Sequence, residues 1–593
     1  MSGNAPAAGT LRPAPLLGGV ALLVIYMRIG AVIGYQAGYG PPLPPHNTEV
    51  GSPFVYVTGS EFRFWLAHLA FAIPGALLIS WGLAPRIAPL LRRLVARIDN
   101  ATPRGWRLAG ALLFLGLFAW SLAGHYLVLL DRPLTDDENA VTFGARILAS
   151  GRLTVPNFEP VGAFMDLFTF QRDGTITAMD FPGVLMFGAL AILTKLGPAL
   201  YAIACATSGV AVAAAAGRWF GARGRVIAAV LWIASPMIAA LSITSHGHVP
   251  SRMLFALVLL CAARLDTAAG TPRRDAILLG LFAGLGFLCR PFETACLLAP
   301  LGAWLTWRSL KTTELPRATP LWMFGAVVPS IAVFALYNRA ITGVWYLQAR
   351  FAPGVTGGTP SLRQDIGDRL AMNLGWNALM LAITFLGIPM LAALFGGLER
   401  RRPITLVLGA GAVIGFLLCL THDNTGIHSV GPIHLSEMSV FLVVIATAGI
   451  VRGFAWLADR GIDRIAAAAL LAGYLAIACT AFNLSNLGSL RMQATTQGIP
   501  EDTLEAMDVH HAIVMARSYI VLLQVDKSFA PWGSWVLEYP HPHPDLSDDI
   551  LWVKPNAKPD ALHAAFPDRA IYKLTYHAEA PNLRVELVRE ANR

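Results

Sequence analysis

Charge is what this chain has least of. Only 14% of its 593 residues are Asp, Glu, Lys or Arg, against 55% hydrophobic, and mean hydropathy is +0.56. Soluble domains carry roughly a quarter charged residues, so the deficit excludes an ordinary soluble fold and indicates a polytopic membrane protein. Cysteine is also scarce: there are six, all within or at the ends of apolar segments, and no CxxC pair. That excludes a disulfide framework and a CxxC metal site, and leaves small buried residues. No internal repeat and no low-complexity segment stand out. The net charge of +9 does not argue for a nucleic-acid partner, because the basic excess of a membrane protein sits in its cytoplasmic loops.

What the chain has in place of charge is long apolar runs. At about 20 residues per span they fall near 14–35, 59–83, 108–130, 198–216, 226–243, 252–266, 275–289, 292–307, 320–341, 371–397, 403–421, 437–453 and 465–483, about thirteen in all. No cleavage site follows the first, so it reads as a span rather than a signal peptide. The arginine clusters at Arg86–Arg107, Arg218–Arg225, Arg264–Arg274, Arg308–Arg317, Arg400–Arg402 and Arg452–Arg464 then all fall on one side. The positive-inside rule makes that side cytoplasmic, with the N-terminus inside and the C-terminus outside. The apolar segment 183–197 is too short to span. Counting it would invert every later loop, so it reads as re-entrant or interfacial.

The expected fold is an all-α polytopic membrane protein with a small C-terminal extracytoplasmic α/β domain. Residues 1–107 supply additional helices and a basic cytoplasmic loop, and 108–483 a transmembrane module with external loops. Residues 484–593 form the α/β domain, with a helix over 500–516 and strands near 518–523, 550–553, 570–574 and 583–587.

Nearly all unusual polar residues fall in the external loops. The first loop opens with Asp136-Asp137-Glu138-Asn139, continues through Phe143, Ala145-Arg146-Ile147-Leu148 and Gly151-Arg152-Leu153, and later carries Asp180-Phe181-Pro182-Gly183. Further loops bring Ser235-Pro236, Ser245-His246-Gly247-His248 with Arg252, Arg290-Pro291, Tyr337-Asn338, Thr342-Gly343 with Arg350, and Gly431-Pro432-Ile433-His434 with Glu437. Loop ends of a helical bundle often gather over one cavity, so these carboxylates, imidazoles and arginines are expected to face one pocket.

This order of elements, over roughly residues 108 to 455, resembles the GT-C glycosyltransferases of the protein mannosyltransferase and aminoarabinose transferase type. In that group an Asp-Glu pair opens the first external loop. Asp137-Glu138 matches it, followed by the Ala-Arg, Gly-Arg-Leu, Pro-Gly, Ser-His, Arg-Pro, Tyr-Asn and Gly-Pro elements. Ile433 stands where the family carries an arginine, and Asp136 and Asn139 flank the pair. The resemblance implies an inverting glycosyltransferase of the bacterial inner membrane that uses a polyprenyl-phosphate sugar donor. The acceptor would be an envelope glycan, lipid or protein on the external side, amid membrane lipids. The chemistry suits the residues. An acceptor hydroxyl needs a carboxylate base, and a phosphate leaving group needs positive charge, which the planar fork of arginine supplies well. A glycosidase would instead need two opposed carboxylates.

The resemblance thus assigns catalysis to Asp137 as base, with Glu138 and Asp136 beside it. It assigns substrate binding to Arg252, Arg290, Arg350, His246, His248, Asp180, His434 and Glu437. Arg290, with Arg252 or Arg350, would hold the donor phosphate. Neither cofactor nor metal is implied. A zinc site built from His246, His248, His422, His428 and His434 lacks any HxxxH or HExxH spacing. Plainer readings stand beside these. Asp137 could cap a helix over 139–150, Glu138 could face its dipole, the histidines could be solvated, and Arg290 could snorkel. The rival functions are a transporter or lipid flippase, which would show repeats and midplane acids, and a non-catalytic envelope-assembly subunit.

Overall fold

The computed structural model describes residues 11–37, 67–164, 168–356, 389–400, 402–421, 432–516, 540–576 and 583–592, with scattered residues between 367 and 387. The described chain is mostly helical. It opens with α1 (Pro13–Ala37), α2 (Ile73–Asp99) and α3 (Pro103–Leu127), then enters a loop layer. That layer holds α4 (Asp136–Ala149), β1 (Val155–Pro156), β2 (Thr169–Arg172), β3 (Thr175–Ala178) and α5 (Pro182–Leu193). The bundle resumes with α6 (Pro198–Ala234), α7 (Pro236–Leu241), α8 (His248–Asp266), α9 (Pro272–Cys289), α10 (Pro291–Lys311) and α11 (Thr319–Thr342). After β4 (Val355–Thr356) come α12 (Pro389–Gly397), α13 (Pro403–Cys419), α14 (Ser439–Asp459), α15 (Arg464–Tyr474) and α16 (Thr480–Ala506).

Among the described residues six helices are long and apolar enough to cross a membrane: His68–Asp99, Pro103–Leu127, Pro198–Ala234, His248–Asp266, Thr319–Thr342 and Ser439–Asp459. Pro13–Arg28 of α1, Pro182–Leu193, Pro403–Cys419 and the stretch Arg464–Ile477 are shorter apolar segments. The 12 residues of α5 rise only about 18 Å, well short of a hydrocarbon core of about 30 Å. Nine residues of the span expected at 371–397 lie outside the described ones, and its end, Pro389–Gly397, forms α12. Small residues let these helices approach, as membrane bundles require: a Cβ on Gly280 would lie 2.0 Å from the Met323 carbonyl, and one on Gly449 1.8 Å from that of Ala393.

At Gly221 the backbone of α6 takes φ 78°, ψ −172°, and the helix folds back on itself. Gly209 then lies against Trp232 and Gly217 against Arg225. The two runs expected at 198–216 and 226–243 are therefore antiparallel arms of one hairpin, turning among Arg218, Arg223 and Arg225.

The arginine-bearing loops meet at one end of the bundle. Arg223 donates to Asp99 from Nε at 2.9 Å and from Nη2 at 2.6 Å. Arg402 donates to the Trp219 carbonyl at 3.3 Å, and Trp219 Nε1 to Asp266 at 2.8 Å. Asp266 also pairs with Arg308, and Arg92 lies 3.5 Å from Asp463. The helix α8 leaves this end at Asp266 and finishes at His248, about 27 Å away. Arg290, at the start of α10, and Glu437, just before α14, share that far end.

The helix expected over 500–516 is corrected by the structure. α15 runs through a π-helical turn at Leu475–Cys479 into α16, which ends at Ala506. Asp508 and His511 turn the chain at φ 54° and 45°, and a fully buried strand β5 (Ala512–Ala516) follows. It pairs in parallel with β6 (Ile550–Val553) and β7 (Ala570–Tyr576), and β8 (Leu583–Arg589) adds antiparallel to β7. The helix α17 (Pro559–Ala565) packs on this sheet. The strand expected at 518–523 lies outside the described residues. This small domain docks on the loop layer: Phe164 bridges to Val553, and Phe143 stacks on His541 at 5.3 Å.

Candidate active site

The site begins with a helix cap. Thr135 is extended, and its Oγ1 accepts from the Glu138 amide at 3.2 Å. Glu138 Oε2 accepts from the Leu134 amide at 2.7 Å, close to a reciprocal capping box. Its other oxygen accepts from the Ser245 amide at 2.9 Å. Thr135 therefore caps α4, which leaves Asp137 free of that duty. Glu138, 3% exposed, has both oxygens engaged by backbone. It ties the first loop to the 244–248 loop and does not face open space. Asp136 lies buried in the same first turn.

Asp137 faces an imidazole and a guanidinium. His246 Nε2 is 3.8 Å from its Oδ2, and Arg350 Nη2 is 3.9 Å from its Oδ1. Arg350 Nη2 is also 3.7 Å from Asp180 Oδ1, with the guanidinium 5.9 Å over the Phe181 ring. These separations are ion-pair distances longer than hydrogen bonds. Burial pushes the Asp137 carboxyl up, but His246, Arg350 and Arg290 together outweigh it and hold the group well below the usual carboxylate range. Asp180 goes the other way. Burial, with the charge of Asp137 added, pushes it up to about 6 against the pull of Arg350 and Arg290. Two acids that share one arginine are thus separated in protonation.

Each partner is delivered by an identifiable local feature. β4 pairs with β2 in a four-stranded sheet ordered β1-β3-β2-β4, so the chain after α11 joins the first loop. Gln348, 4% exposed, fastens that join. Its Nε2 donates to the Met179 carbonyl at 2.6 Å, and its Oε1 accepts from the Arg350 amide at 2.7 Å. Pro182 starts α5, and a Cβ on Gly183 would lie 2.7 Å from the Leu288–Cys289 backbone. That close approach sets Asp180 beside Arg290, which opens α10 with its Nη1 4.0 Å from Glu293. Nothing in the sequence pattern marks Gln348, whose role depends on a contact across more than a hundred and fifty residues.

A second group sits deeper. His248 Nδ1 lies 2.8 and 3.1 Å from the two Glu437 oxygens. Both residues are 1% exposed. His434 lies in the adjoining turn Ile433–Leu435. Arg252, 1% exposed, sits within the bundle, 5.5 Å over the Trp232 ring and 4.0 Å from Cys205 Sγ. Of the two arginines offered as partners to Arg290, the structure therefore brings Arg350 to Asp137 and leaves Arg252 in the bundle. Among the described residues no group of three or more His, Cys, Asp or Glu could hold a metal ion. His422 and His428 lie outside the described residues. A separate cavity of about 420 Å³ lies between α4 and the C-terminal domain, lined by Arg146, His541, Asp548 and Trp552 among others. Arg146 is about 13 Å along α4 from Asp137, so this space is distinct from the acid site.

No protein-family model matches the chain, and no curated protein sequence matches it. Solved structures do. ArnT from Cupriavidus metallidurans, solved bound to undecaprenyl phosphate, is similar at 15% identity over 78% of this chain and 88% of that one, with a TM-score of 0.46. The arabinofuranosyltransferase AftD from Mycobacteria is similar at 18% identity, over 76% of this chain and 32% of its own, with a TM-score of 0.42. The oligosaccharyltransferase of Archaeoglobus fulgidus in its apo form is similar at 14% identity, over 72% and 61%, with a TM-score of 0.36.

Proposed function

We propose that this chain is a membrane glycosyltransferase. It moves a sugar from a polyprenyl-phosphate donor to an acceptor hydroxyl or amine, with inversion, at the end of the bundle away from the arginine-rich loops. The observation that carries this reading is one ionised carboxylate, Asp137, set between His246 and Arg350 with the charge of Arg290 close by, above an apolar bundle. Asp137 takes the proton of the acceptor as the acceptor oxygen or nitrogen bonds the anomeric carbon. The bond from that carbon to the phosphate oxygen breaks, and its electron pair leaves on the phosphate. Arg350 and Arg290 neutralise the departing phosphate. A single displacement of this kind inverts the anomeric centre.

The low position of Asp137 keeps it ionised at any physiological pH, and the donor phosphate, by neutralising Arg350 and Arg290, raises its basicity. The separations of 3.7–4.0 Å around Arg350 and Arg290 leave those guanidinia able to turn toward a phosphate. In this reading the chain is a multi-pass protein of the bacterial inner membrane with its N-terminus cytoplasmic, and the C-terminal domain shares the external side with the site. This mechanism uses no metal, so transfer should survive a chelator; complete loss there would count against it. The direct test is transfer of labelled sugar from a panel of polyprenyl-phosphate donors to membrane extract. Transfer supports the reading. No transfer across a broad panel would return the chain to the transporter and assembly-subunit readings.

A further inference from the structure

We propose that His246 is the positioning residue of Asp137, its tautomer set by the backbone amide of His248 and its ring direction by the His248 imidazole, which Glu437 holds. The proposal rests on the transferase reading for its catalytic consequence, but this geometry stands apart from it. Glu437 approaches His248 Nδ1 with both oxygens, at 2.8 and 3.1 Å, and holds that ring in place. The backbone amide of His248 can only donate, and it meets His246 Nδ1 at 3.5 Å. His246 Nδ1 is therefore an acceptor, and the ring proton lies on Nε2. That nitrogen is buried with no hydrogen-bond partner, on a side chain 5% exposed, and points at Asp137 Oδ2 across 3.8 Å. The two imidazoles stack at 5.0 Å with 27° between their planes, which fixes the direction of the His246 ring.

These contacts join elements far apart in sequence: the turn before α14, the start of α8 and the first turn of α4. The His246 Nε2–H faces one edge of the Asp137 carboxylate, 3.8 Å from Oδ2, and leaves Oδ1 toward Arg350. In the transfer step the acceptor proton goes to Asp137 and the bonding pair leaves on the phosphate. His246 neither gains nor loses a proton and acts only by orienting the base.

Two variants and one spectrum test this in the full-length protein in nanodiscs. Gln can present an amide nitrogen where His presents Nε2, whereas Leu cannot. His246→Leu should lower kcat by about 10²-fold while the KM for the sugar donor stays within about twofold, and His246→Gln should recover most of kcat. A rise in donor KM with kcat unchanged would make His246 a phosphate contact and overturn the proposal, as would equal losses in both variants. Nitrogen NMR of histidine-labelled protein reads the tautomer without any activity. The His246 signal, identified by its loss in His246→Gln, should show a protonated Nε2 and a bare Nδ1. The opposite tautomer overturns the proposal even if transfer is observed. The expected tautomer with no transfer from any donor leaves the positioning geometry intact and removes the transferase reading.

Discussion

The two ends of the helical bundle use the same residue types and wire them differently. At the arginine-rich end two pairs are closed: Arg223 grips Asp99 with two bonds of 2.6 and 2.9 Å, and Arg308 is in direct contact with Asp266. At the other end Arg350 stands 3.7 and 3.9 Å from two acids, and Arg290 stands 4.0 Å from a third. The Arg223 and Asp99 side chains are 53% and 39% exposed, where water screens them and a pair contributes little. The Asp180 and Arg290 side chains are 8% and 10% exposed, where an unclosed pair is costly. Closed pairs brace loops, in water at Arg223 and largely out of it at Arg308, whose side chain is 12% exposed. Open pairs hold charge ready for a ligand.

The sharpest way to break this contrast is Asp137→Asn. It should lower kcat by about 10²–10⁴-fold at normal membrane levels, as measured by labelled-sugar transfer. Retained activity would move the base elsewhere. Next is Arg350→Lys, which keeps the charge and loses the planar fork. A charge-assisted hydrogen bond contributes about 1.5–3 kcal/mol, so kcat/KM should fall about 10- to 100-fold, mostly through the donor.

Asp180→Asn should act through pH. Above about 6 the ionised Asp180 competes with phosphate for Arg350; as pH falls through about 6 it is neutralised and donor KM should fall. The Asn variant should show a low donor KM at all pH values and lose that dependence. The same raised position sets the sign for stability. The native state binds the extra proton, so stability is lost as pH rises from the ordinary carboxylate value through about 6. Thermal melts of Asp180→Asn should lack that loss. Smallest is Arg223→Ala at the other end, which should cost less than about 1 kcal/mol and leave transfer unchanged. A large effect there would erase the contrast.

Much of the molecule could be read along the chain. The apolar runs, the one-sided arginine clusters and the break between the runs at 198–216 and 226–243 are local properties, and the helices follow them. The strands at 550–553 and 570–574 show the same legibility. The strand at Ala512–Ala516 did not, because a short buried run has no alternation to separate it from a helix end. Glu138 could be singled out from its position, but the sequence could not say that both its oxygens are engaged by the backbone of Leu134 and Ser245.

Composition and periodicity by themselves determined the bundle, its basic end, and the gathering of acids, histidines and arginines in the loops opposite. These follow from water and lipid acting on each segment separately. Only the tertiary structure decided that Arg350 rather than Arg252 reaches Asp137, that Thr135 rather than Asp137 caps α4, and that Gln348 and Gly183 set the arginines against the acids. Those choices depend on distances between segments far apart in the chain. A change of a few ångströms decides whether a charge is paired, solvated or held open, and no local pattern encodes that.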